Sequence, residues 1–124
     1  MKIIIDTHIF LWAVSAPQKL SKIYTRELET LSNTIYVSSI SIVEIMIKNS
    51  IGKLTIDVDL IKAVKDSGFE LLDFTAQDAL VLKDMPLHHK DPFDRMLIAQ
   101  AMSNNYRMMS DDEKFSSYAC KLIK

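Results

Sequence analysis

The sequence predicts an α/β fold: three layers, with a central, mostly parallel sheet of four to five strands covered by helices on both faces. Three observations predict it. Short apolar runs alternate along the chain with stretches whose apolar residues recur at three- and four-residue steps, the signatures of strand and helix. Strands that alternate with helices imply parallel pairing, with both sheet faces buried. The 124 residues suit one domain, 1–124, and leave no room for a second.

Lys2–Ile5 (KIII) reads as a short buried strand, and a helix follows from about Thr7 until Pro17 breaks it. Leu20, Tyr24, Leu28 and Leu31 are spaced for an amphipathic helix over Ser21–Leu31. Ile35–Ser38 is the second strand. Ser41–Ile51 is apolar almost all round, so it reads as a helix buried on most sides. Asp57–Ser67 is a shorter helix, and Phe69–Leu72 a third strand. Gly52 and Gly68 each fit the end of a helix. Thr75–Met85 reads as a helix with Ala76, Ala79, Leu80 and Leu82 on its inner face. Asp91–Asn105 has the clearest start, with Asp91 as N-cap and Pro92 at the first helical position. Arg107–Met109 is a fourth strand, Asp112–Ser117 a short helix, and Cys120–Ile123 a fifth, edge strand.

Hydrophobic residues make up 48% and charged residues 25%, an ordinary soluble composition. No apolar run approaches the roughly 20 residues needed to span a bilayer. Asp6 and His8 interrupt the apolar Lys2–Trp12 segment and no small-residue cleavage site follows, so it does not read as a signal peptide. The single cysteine, Cys120, excludes an internal disulfide and a cysteine zinc cage. A reducing cytoplasm is the expected compartment. The net charge of −1 counts against general coating of nucleic acid by bulk positive charge. It leaves room for an enzyme that handles one short stretch of RNA.

Four acids stand where strand-like runs turn into helices: Asp6, Glu44, Asp94 and Asp112. Each has a plain structural explanation. Asp6 can start a helix, Ser41 and Glu44 fit a capping box, and Asp94 and Asp112 suit the positive end of a helix dipole. Capping does not explain why all four lie at junctions that a parallel sheet brings toward its carboxyl edge, where ligands gather. Carboxylates crowded there repel and raise one another's pKa. A divalent cation removes that cost, and an all-oxygen site suits Mg²⁺ or Mn²⁺.

The phrases IIIDTHIFLW, VSSISIVEIMIKNSIGKL, HHKDPFDRMLIAQA and SDDEKF resemble the PIN domain, and more narrowly the VapC-like toxins of bacterial type II toxin–antitoxin pairs. The resemblance runs from Lys2 to about Ile123. It implies a PIN-like α/β/α fold and a Mg²⁺- or Mn²⁺-dependent endoribonuclease. Such an enzyme cuts single-stranded or looped RNA, in tRNA or ribosomal RNA, leaving 5′-phosphate and 3′-hydroxyl ends. The family's acids match Asp6, Glu44, Asp94 and Asp112; Asp111 falls at a variable position. Asp6 and Asp94 are the expected principal ligands, with Glu44 and Asp112 completing the site directly or through water. Thr7 and Ser110 are the expected hydroxyls behind them, orienting the carboxylates. A cognate antitoxin and a homodimer are also implied. Two alternatives stay open: a PIN nuclease of RNA processing or a metal-dependent phosphatase, and a catalytically silent binding module.

Arg95, Lys48, Lys90 and His88 are candidate substrate contacts, and Lys53 could extend the basic rim. Arg95 leads because it adjoins Asp94. The plain reading of His88 and His89 is an exposed polar loop. Phe10, Trp12 and Tyr24 read as core or as a sticky surface for a partner. Cys120 reads as inert.

Overall fold

The computed structural model describes residues 1–123; Lys124, last residue of the expected domain, lies outside them. β1 (Lys2–Ile5) is the central strand, and Ile3, Ile4 and Ile5 are fully buried. α1 (Thr7–Ser15), a 3₁₀ turn at Pro17–Lys19 and α2 (Lys22–Glu29) lead to β2 (Thr34–Ser38). α3 (Ser39–Ser50), α4 (Leu60–Asp66), β3 (Glu70–Leu72), α5 (Ala76–Leu80) and a 3₁₀ turn at Val81–Asp84 follow. α6 (Pro92–Asn104), β4 (Arg107–Met109), a 3₁₀ turn at Glu113–Ser117 and β5 (Lys121–Leu122) complete the chain.

The sheet has five strands in the order β3-β2-β1-β4-β5. Every pairing is parallel, so the expected sheet is borne out. The alternation of side chains along β1 divides the core into two layers. Ile3 and Ile5 pack with Phe10, Tyr24 and Val64 on the α1–α2–α4 side. Ile4 packs with Leu97, Met108 and Phe115 on the α6 side. The strand order reverses at β1, which pairs with β2 on one side and β4 on the other. That is the switch point where a parallel sheet opens a crevice beyond its carboxyl edge. Among the described residues, no helix is long and apolar enough to cross a membrane.

Several local expectations need correction. α3 begins directly after β2, because Ser38 is already its N-cap and its Oγ accepts the Ile40 N–H at 3.1 Å. Ser41 and Glu44 therefore lie inside the helix and form no capping box. Nor is α3 buried all round: Val43, Met46 and Ile47 are 43–44% exposed. The helix expected from Asp57 starts at Leu60, because Asp59 caps it through the Lys62 N–H. α2 stops at Glu29, leaving Leu31 fully exposed. The stretch Thr75–Met85 splits into α5 and a 3₁₀ turn, and Leu80 points outward while Asp78 is buried. Asp78 closes a capping box with Thr75 and receives Asn104 Nδ2 at 3.2 Å, so its burial is satisfied. The expected strand at Phe69 begins at Glu70, and the helix at Asp112 is a 3₁₀ turn capped by Asp112. The glycine expectations hold, with φ of 77° at Gly52 and 78° at Gly68.

The Ser38 cap gives a direct check on α3. Ser38→Ala is expected to destabilise the protein by about 1 kcal/mol, within the ~0.5–2 kcal/mol range of N-cap losses. Urea unfolding measures it. No change would mean that α3 is held by packing alone.

Candidate active site

The predicted acids meet in one cleft, although only Asp6 and Asp112 follow strands; Glu44 lies inside α3, and α6, which carries Asp94, follows a 3₁₀ turn and a loop instead of a strand. β1 ends at Ile5, so Asp6 is both the first residue past the sheet and the N-cap of α1, its Oδ1 accepting the Ile9 N–H at 2.8 Å. The Asp6 N–H continues the β1–β4 ladder onto the Met109 carbonyl at 3.0 Å, which places the end of β1 beside that of β4. Asp112 follows β4 and accepts the Lys114 N–H on Oδ1 at 2.9 Å. Asp94 sits in the first turn of α6, behind Asp91, whose Oδ1 accepts the N–H groups of Phe93 and Asp94. Glu44 reaches in from α3.

The cleft encloses about 400 Å³. Six carboxylates line it: Asp6, Glu44, Asp91, Asp94, Asp111 and Asp112. Thr7, His8, Trp12, Lys48 and His89 complete the wall. All four predicted acids are thus brought together, along with the predicted Thr7 and Lys48. Thr7 Oγ1 donates to Glu44 Oε1 at 2.8 Å and lies 2.9 Å from Ser41 Oγ, which explains how α3 carries a buried carboxylate. Lys48 Nζ pairs with Glu44 Oε2 at 2.7 Å; Glu44 raises the pKa of Lys48, first through this hydrogen bond. Ser110 lies behind the acids: its Oγ accepts the Asp112 N–H at 3.1 Å, and its carbonyl accepts from Tyr24 Oη at 2.8 Å.

Burial and crowding leave their mark on the acids. Asp6 is 5% exposed, and its pKa rises to about 6, chiefly because burial penalises the charged form; the Ser110 hydroxyl and the Ile9 N–H oppose the rise. Asp94 rises to about 7, first from burial and then from the charge of Asp91, with Glu44 and Asp6 adding to it and His89 opposing. Two carboxylates held uneasily ionised, in a cleft with one lysine, form a donor set that a hard divalent cation fits.

Three predicted substrate contacts lie elsewhere. Arg95 turns from the cleft: Nη1 donates to the Pro86 carbonyl at 3.0 Å and to Tyr118 Oη at 3.2 Å. Adjacent helical residues point about 100° apart, so adjoining Asp94 did not put Arg95 on the same face. His88 packs edge-on against Tyr118, 5.2 Å between ring centroids, and is not in the cleft wall; nor is Lys90 or Lys53. Sequence reasoning missed five wall residues, among them Asp111, which falls at a variable position of the family pattern. In the sequence Asp91 reads only as a cap, and Trp12 as core or as a surface for a partner. His8 carried no signal beyond its place beside Thr7. His89 is not exposed: it is 6% exposed and faces Asp94 and Asp112.

The sequence matches the PIN domain over residues 3–121. The chain belongs to the PIN-domain family. No curated protein matches it by sequence. Among solved structures, it resembles VapBC2 from Rickettsia felis bound to a promoter DNA fragment, with a TM-score of 0.75 at 19% identity, over 98% of this chain and 97% of that one. It also resembles FitAcB from Neisseria gonorrhoeae, with a TM-score of 0.69 at 14% identity, over 98% and 96% of the two chains. DNA-bound VapBC from Salmonella typhimurium gives 0.64 at 18% identity, again over 98% and 96%. At such identities the likeness is one of fold.

Proposed function

We propose that this protein is a Mg²⁺- or Mn²⁺-dependent endoribonuclease and the toxin of a type II toxin–antitoxin pair. The observation that carries the nuclease reading is the convergence of Asp6, Glu44, Asp94 and Asp112 in one cleft beyond the carboxyl edge of the sheet. The toxin reading is supported by the VapC-like motifs and by the fold shared with the VapBC structures. A cognate antitoxin, a homodimer and a cytoplasmic location belong to the same proposal.

Asp6 and Asp94 would hold the cation, with Glu44 and Asp112 completing its surroundings directly or through water. When bound, it supplies an acidified water for in-line attack at phosphorus and a counter-charge for the departing 3′ oxygen. The chain's own part is positioning. Thr7 fixes the inner oxygen of Glu44 and Lys48 its outer one. Lys114 N–H and Ser110 fix the turn that carries Asp112. Lys48, 42% exposed in the cleft wall and paired with Glu44, would be the side chain to meet a phosphate.

Purified protein with Mg²⁺ or Mn²⁺ should cut total bacterial RNA at discrete places, leaving 5′-phosphates, and EDTA should stop it. Growth arrest on expression, relieved by a neighbouring gene product, separates a toxin from an RNA-processing nuclease. Cleavage that persists in EDTA would discard the carboxylate–metal mechanism.

Trp12 offers a second check. It is the only tryptophan, and it stands in the cleft wall edge-on to His8 at 5.6 Å. Single-stranded RNA presents unstacked bases to such aromatic faces, each worth about 1–3 kcal/mol. A single-stranded oligoribonucleotide should quench the fluorescence of uncleaving Asp94→Asn protein, and a duplex of the same length should quench it far less. Equal responses would remove Trp12 from base recognition.

A further inference from the structure

His89 lies buried in the loop that enters α6, and it bridges acids from two separate elements. An imidazole there can serve in two ways, as a lone-pair ligand or as an N–H donor. Its hydrogen-bond partners decide between them. Nδ1 lies 3.3 Å from the Asp91 nitrogen, placed to accept its N–H. Nε2 faces carboxylate oxygens, 3.2 Å from Asp112 Oδ2 and 2.8 Å from Asp94 Oδ2, and such a setting favours a hydrogen on it. A lone pair on Nε2 would face two carboxylate oxygens and be repelled, whereas an N–H is attracted to both. Nε2 lies within 4.8 Å of an oxygen of each acid, a spacing a metal could span, but in this tautomer it has no lone pair to give.

We infer that His89 is the positioning residue of the metal centre proposed above: its Nε2–H fixes the carboxylates of Asp94 and Asp112 at one spacing while leaving the cation to the acids. The inference rests on that metal-centre reading. The ring is itself held firmly. The backbone N–H groups of His88 and His89 both donate to Tyr118 Oη, at 3.0 and 2.9 Å. Phe115 packs edge-on against the imidazole, 6.2 Å between centroids. Arg95 donates to the same Tyr118 oxygen, so it acts on the cleft from behind, through Tyr118 and the histidine loop. Without the Nε2–H, Asp94 and Asp112 face each other with no shared donor, and a cation must order them itself.

The test is calorimetric titration of Mn²⁺ into the intact protein. His89→Phe keeps the ring shape without the donor and should lose roughly 10–100-fold in Mn²⁺ affinity, the cost of removing an outer partner of metal-binding groups. His89→Gln, which restores an N–H donor, should recover much of the loss. Melting in EDTA reports whether each variant folds. Unchanged or tighter Mn²⁺ binding by folded His89→Phe overturns the inference; tighter binding would mean that the ring competes with the cation. Ring-nitrogen NMR of the wild type needs no variant: a hydrogen should be on Nε2 with and without Mg²⁺, and an Nε2 that carries none overturns the inference. If the wild type takes up no Mn²⁺, the metal-centre reading fails first, and the NMR result still decides the tautomer.

Discussion

Asp94→Asn is expected to abolish RNA cleavage while raising the melting temperature of the metal-free protein at pH 8. The two effects have one cause. Asp94 is largely buried in the cleft and feels the charges of Asp91, Glu44 and Asp6, so its pKa rises to about 7. At pH 8 the metal-free folded protein must hold it ionised, partly buried and among like charges. An amide of the same shape removes that charge and still offers His89 an oxygen. At ~1.4 kcal/mol for each tenfold change in proton affinity, the rise from 3.8 to about 7 bounds the gain at about 4 kcal/mol, and partial solvent exposure and the burial of the amide itself reduce it. Catalysis moves the other way. Losing a principal ligand should cost more than the roughly 10–100-fold lost with an outer partner. Cleavage assays and thermal melts on the same preparation check both. A variant that is inactive and also less stable would show Asp94 to be a structural residue rather than a strained ligand.

The stability of the metal-free protein should fall as pH rises from 5 to 8, and Mn²⁺ should reverse the fall. Asp6 and Asp94 titrate near pH 6 and 7 in the folded chain, above the ordinary 3.8. The folded state therefore binds their protons more tightly than the unfolded state does. Their contribution to stability is fully present below about pH 4 and is lost as pH rises through 6 to 7. The loss from the pair is on the order of a few kcal/mol. Mn²⁺ at about 100 times its dissociation constant should return roughly 2.7 kcal/mol at pH 8. At pH 5 it should return much less, because protons then hold the same oxygens. Cleavage should rise over the same interval, from about pH 6 to pH 8. Melts in EDTA and in Mn²⁺ at the two pH values test this. An equal Mn²⁺ effect at pH 5 and pH 8 would place the cation on other groups.

The parts of the molecule legible in the sequence were those set by local chemistry. The isoleucines of β1, the Asp91–Pro92 start of α6 and the acids past the strand ends all follow from adjacent residues and the alternation of elements. That regularity accounts for Asp6 and Asp112; Glu44 and Asp94 join them in the cleft without standing at a strand end, because α3 and α6 pack over the same edge of the sheet. What escaped depends on distant partners or on the direction of a side chain. His89 is buried because Tyr118 and Phe115, nearly thirty residues away in sequence, hold its loop down. Arg95 adjoins an acid in sequence and faces away from it in the helix. The Ser41–Glu44 pair imitates a cap because a stronger cap, Ser38, lies three residues earlier. Glu44 is explained instead by Thr7, reached across the cleft from α1.

The most direct test of the central claim is anomalous diffraction from crystals of this protein soaked in Mn²⁺. The account predicts a peak inside the cleft, within bonding distance of Asp6 and Asp94, with His89 Nε2 outside its ligand set. A cleft without a peak at millimolar Mn²⁺, or a peak bound through His89, would contradict it.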